Sequence, residues 1–185
     1  MKDLNAHSLG ELRADFLGTS TNAMPIAGAI TWAALGIAAL FLPERTIGTL
    51  SLYIMVAIMP LAFLIERAQG RNLFAGGDNP LVKLFLSSIA MIGAIVPLVI
   101  VAATSAEQPL LILLGMAILA GVIWIPYGWA ADDPAGMRHA IGRTVGCYLA
   151  YAFAPDAYVG TAICAVVVLS YLFTLATAKT MGERL

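Results

Sequence analysis

Charge is what this chain has least of. Only 11% of its 185 residues are charged, against about 25% in an ordinary soluble domain. So few charges cannot solvate a globular surface, and no basic face exists for nucleic acid. Histidine and cysteine are scarce too: His7 and His139, Cys147 and Cys164. No Cys-x-x-Cys pair and no His-Glu-x-x-His helix occurs, so neither a redox nor a metal site is expected. No Gly-x-Ser-x-Gly elbow and no Gly-x-x-x-x-Gly-Lys loop is present. With no histidine central to a span, no haem is expected, and no other cofactor is implied. These gaps weigh against an enzyme. No secretory signal is expected either. The first apolar block begins near Met24, behind a leader holding Asp3, Glu11, Arg13 and Asp15, and it reads as a permanent helix.

What is present is apolar and comes in blocks. Hydrophobic residues make up 61% of the chain, and the mean hydropathy is +0.89. Blocks near 20 residues match helices that cross a hydrocarbon core of about 30 Å. The expected fold is all-α: a six-helix transmembrane bundle over residues 24–178, preceded by a short amphipathic helix in the leader 1–23 and followed by a tail, 179–185. The spans are read at 24–42, 47–65, 81–102, 109–130, 139–154 and 157–178. The fifth is the weakest, being short and polar at its start.

The leader helix is expected over residues 8–18. Ser8 and Glu11 form a capping-box pattern, and Leu9, Leu12 and Phe16 share one face. Such a helix either lies on the membrane surface or packs on the end of the bundle. Pro60, Pro97 and Pro126 fall inside spans, where proline removes a hydrogen bond. Gly121 and Gly128 flank Pro126, so a kink is expected in the fourth span. The fifth span carries Gly142-x-x-x-Gly146-x-x-x-Ala150, a small-residue ridge that suits close helix contact. That ridge motivates an expected homodimer.

Orientation follows from the basic residues. With the N-terminus inside, Lys2, Arg13, Arg67, Arg71, Lys83, Arg138, Arg143, Lys179 and Arg184 lie on the inner side, and only Arg45 lies outside. Both termini are therefore expected in the cytoplasm.

The strongest polar cluster is Asp132, Asp133, Arg138, His139 and Arg143, just after Tyr127 and Trp129. His139 and Arg143 are four apart and share a helical face. Together they suit an anion such as a phosphate or a phospholipid headgroup. The plainer reading is a charged interfacial turn with aromatic anchors. Arg143 lies about a turn deep and needs a partner, for which Asp132, Asp133 or a lipid phosphate are expected. A second cluster, Glu66, Arg67, Arg71, Asp78 and Asn79, lies on the same side and completes a candidate ligand site through Arg67 and Asn79.

Several segments carry a resemblance. They are Glu11-Leu12-Arg13-Ala14-Asp15-Phe16, Phe41-Leu42-Pro43-Glu44, Asn79-Pro80-Leu81 and Ile125-Pro126-Tyr127-Gly128-Trp129. Through them the chain resembles a family of small, uncharacterised bacterial multi-pass membrane proteins of unknown function. The resemblance implies a bacterial inner membrane and supplies no function. Three functions stay open: a small transporter or channel, a lipid- or protein-binding structural or regulatory protein, and an intramembrane enzyme acting on a lipid.

Overall fold

The computed structural model describes residues 7–19, 22–70 and 78–177. Every regular element among them is helical. These are α1 (Leu9–Thr19), α2 (Ala23–Ala38), α3 (Glu44–Ala68), α4 (Pro80–Ser105), α5 (Leu110–Val122), α6 (Trp124–Ala131), α7 (Ala135–Phe153) and α8 (Val159–Thr177), with a 3-10 turn at Asp156–Tyr158 before α8. Lys2, Asp3, Arg71 and the tail beyond Thr177, all named in the sequence analysis, lie outside the described residues.

Four helical segments are long and apolar enough to cross a membrane: Glu44–Ala68, Pro80–Ser105, Leu110–Ala131 and Asp156–Thr177. The bent pair Leu9–Gly18 and Ala23–Ala38, at 52°, qualifies only when taken together, which makes up to five. The protein is therefore an all-α, multi-pass membrane protein. Two of the six expected spans fall short by these criteria. α2 has 16 residues, and α7 has 19 but carries Arg138, His139 and Arg143.

α2 packs between α8 and α3, while α7 lies against α8, α5 and α6. The main core is built from α2, α3, α5, α7 and α8, with Trp32, Ile47, Leu113, Cys147, Ile163 and Val167 essentially inaccessible. Both cysteines are free and buried, as packing residues would be. α4 stands at the edge against α5, α6 and α1, and buries only Leu81, Ile92 and Ala103.

Pro126 interrupts the expected fourth span. With no N–H at Pro126, the ladder breaks one turn earlier, at Ile123, and Tyr127 N reaches Ile123 O only at 3.4 Å. The span is thus split into α5 and α6. Pro60 and Pro97, by contrast, lie within the unbroken α3 and α4.

At the start of α1 the capping box forms. Ser8 N donates to Glu11 Oε2 at 2.7 Å, and Glu11 N donates to Ser8 Oγ at 3.3 Å. The Ser8 backbone donor holds the Glu11 carboxyl below its ordinary 4.5. α1 is docked on the bundle, the second of the two placements its pattern allowed. Phe16 is buried with Leu81, Ala130 and Ala131, and its ring meets those of Phe85 and Tyr127.

Candidate functional site

The site begins with a residue that should be costly where it lies. Arg143 is eight residues into α7, about 12 Å along the helix axis. It is fully buried. The guanidinium stays charged in proteins, and a charge within a membrane helix marks a functional position by default. Its three nitrogens, Nε and the two terminal ones, have no hydrogen-bond partner among the described residues.

Aromatic faces take the place of a counter-ion. The guanidinium carbon lies 5.5 Å from the centre of the Trp32 ring, on α2, and 5.1 Å from that of Tyr171, on α8. Both are within cation–π range. Glycines make the room. A Cβ at Gly121 would stand 2.9 Å from Arg143 Cδ, and one at Gly28 would collide with the Tyr171 ring. Thus α5 admits the arginine stem and α2 admits the tyrosine.

One turn nearer the start of α7 lies His139, also buried. It stacks on Trp124 at 4.5 Å between ring centres and 24° between planes. Its other neighbour is Tyr171, at 5.4 Å and 61°. His139 Nδ1 is 2.6 Å from Thr174 Oγ1, while Nε2 has no partner among the described residues. Trp32 Nε1 is likewise buried and unpartnered among the described residues. The constellation can therefore offer several N–H donors and one ring nitrogen to a single ligand.

The expected pairing of Arg143 with Asp132 or Asp133 is corrected. Asp132 pairs instead with Arg13, at 2.8 Å, and Asp133 Oδ1 accepts from Ala135 N at 2.9 Å. Both acids precede α7, two turns or more short of Arg143. Nor does Arg143 reach out to a headgroup, because its whole side chain lies inside the bundle. Arg138 and Arg67 are exposed and stand apart from it.

Asn79 has a structural role. Its Oδ1 accepts from Leu81 N at 2.8 Å, capping α4, and its amide donates to Leu12 O and Asp15 Oδ2. Tyr127 belongs to the aromatic cluster of Phe16, Phe85 and Trp124. Trp129 is half exposed, with the Arg13 guanidinium 5.4 Å above its ring. Arg13 also donates to Trp129 O at 3.0 Å. Of the residues named from sequence, only Arg143 and His139 enter the buried constellation.

Sequence reasoning missed Trp32, Trp124, Tyr171 and Thr174. The available signal was position: Trp32 falls mid-span, away from the interfacial belts that tryptophan favours. Glu66 was placed in a loop, yet it lies in the last turn of α3, fully buried, with both carboxylate oxygens unpartnered among the described residues. No group of three or more metal-ligating side chains is present among the described residues.

No curated protein matches the chain. No solved structure matches it either. A family model does, across nearly the whole bundle. Its match over residues 9–179 shows that the chain belongs to DUF7010, a family of unknown function.

Proposed function

We propose that the protein is a small membrane carrier that admits an anionic small molecule to Arg143 between α2, α5, α7 and α8. One observation carries the reading: a permanently charged guanidinium, fully buried, with every nitrogen unpartnered among the described residues. Buried polar groups are normally satisfied, and each exception asks for an explanation. An oxyanion supplies the missing charge and acceptors together. In this reading α2 and α7 complete six spans, with both termini on the cytoplasmic side of a bacterial inner membrane. The nine-to-one distribution of basic residues supports that placement.

The test uses purified protein in nanodiscs, titrated with inorganic phosphate, sulfate and acetate. Tryptophan fluorescence reads binding, since Trp32 touches Arg143. Saturable binding of at least one anion, lost in Arg143→Leu and kept in Arg13→Leu, is expected. Failure of all three to bind would end the reading. Uptake of the bound anion into proteoliposomes separates a carrier from a receptor.

A second reading, phospholipid binding, has its own observation. A groove of about 920 Å³ opens between α4, α6 and the start of α7, lined in part by Leu84, Met91, Ile92, Ile125 and Trp129, with Arg13 and Asp132 among its charged residues. Such a groove suits an acyl chain with a polar head near the ion pair. Brominated phospholipid should quench Trp129 in a variant that keeps only that tryptophan. The expected homodimer would use the exposed α7 face of Ile141, Val145 and Leu149, and native mass measurement decides it. The intramembrane-enzyme alternative has no observation of its own.

A further inference from the structure

The hydrogen-bond chain around His139 fixes which end of its ring carries a proton. Thr174 Oγ1 lies 3.0 Å from Ser170 O, one turn back on α8, and donates to it, since a carbonyl oxygen can only accept. The threonine proton is thereby committed. The 2.6 Å contact between Thr174 Oγ1 and His139 Nδ1 then needs its proton from the ring. In the uncharged imidazole with Nδ1 protonated, Nε2 is a bare lone pair that can only accept. That nitrogen is buried and unpartnered among the described residues.

The acceptor belongs to the same constellation as the donors. His139 and Arg143 lie one turn apart on α7, and both rest against Tyr171. Arg143 and Trp32 Nε1 offer only N–H groups. His139 Nε2 offers only a lone pair. A ligand that satisfies both sets must carry negative charge and a proton of its own. Fully deprotonated anions would set an oxygen lone pair against that of Nε2, leaving both unsatisfied in a buried place.

Building on the reading of Arg143 as an anion site, we propose that the ligand is an oxyanion that keeps a proton, such as hydrogen phosphate or a phosphonate, and donates it to His139 Nε2. His139 is then the residue that sets specificity, and Arg143 the one that sets charge. The Thr174–Ser170 relay positions the ring by holding its proton on Nδ1.

Phosphate and sulfate make a matched pair of probes. At about pH 8 both are tetrahedral dianions, and only phosphate retains a proton. In nanodiscs, wild-type protein should bind phosphate at least about tenfold more tightly than sulfate, the scale of one hydrogen bond to a charged partner. His139→Phe keeps an aromatic ring between Trp124 and Tyr171 and removes the acceptor. It should bring the two affinities within about threefold, chiefly by loss of phosphate binding. Should His139→Phe fold poorly, the wild-type ratio alone still decides. Sulfate binding as well as phosphate, or better, would overturn the proton-bearing ligand and leave the anion reading of Arg143 intact. Absence of binding by phosphate, sulfate and acetate alike would overturn both.

Discussion

α4 and α7 invert the habits of a soluble protein. α4 is the most apolar of the long helices among the described residues, and of its 26 residues only Leu81, Ile92 and Ala103 are buried within the bundle. α7 falls short of the apolarity required of a span, yet it buries His139, Ala140, Arg143 and Cys147. In water the apolar helix would lie at the centre. In lipid the outer surface is as apolar as any core, so hydrophobicity no longer selects the interior. Polarity does, because a charged group must be shielded from hydrocarbon by protein.

Four substitutions, in falling order of effect, test this contrast. Leu98 lies on the outward face of α4 and is 67% exposed. Leu98→Asp should cost about 3 kcal/mol, the scale for a charge at mid-membrane, read as lost insertion or lower detergent stability. A mild effect would place that face in a polar setting and break the comparison. On α7, Gly136 meets backbone directly: an added Cβ would collide with Trp124 O and stand 2.6 Å from Gly128 Cα. Gly136→Ala should therefore cost about 2 kcal/mol and lower the melting temperature.

Asn79→Ala removes the α4 cap and both ties to α1. About 1–2 kcal/mol should be lost, with faster amide exchange through α1 while the α7 core stays protected. The smallest effect belongs to Gly142, which has nothing within 4 Å of an added Cβ. Gly142→Ala should change stability by less than about 0.5 kcal/mol. A larger change would reveal a second copy on that face.

Helical class, multi-pass character and most helix boundaries were legible because long apolar blocks permit little else. The capping box at Ser8 and the break before Pro126 were legible too, each being a local rule. Arg143 was singled out, but its surroundings were not. Its neighbours Trp32, Gly121 and Tyr171 come from three other helices, and local spacing carries no information on which helices adjoin. The small-residue ridge of the fifth span shows the same limit. Gly146 meets Val166, while Gly142 faces open space, a difference set by helix rotation. Asp132 and Asp133 were near Arg143 in sequence, but the rise of α7 separates them.

The clasp of α1 onto the bundle has a consequence for the order of assembly. α1 is made before the other described helices, but the partners that hold it come late. Arg13 donates to a carbonyl 116 residues further on, at Trp129, and Asn79 reaches back 67 residues to Leu12. At about 5–20 residues per second of synthesis, the Trp129 contact forms no sooner than roughly 6–23 s after Arg13 is made. Phe16 can meet Leu81 and Phe85 on α4 first, but its contacts with Tyr127 and Ala131 wait, so the clasp of α1 is complete only once α6 has been delivered.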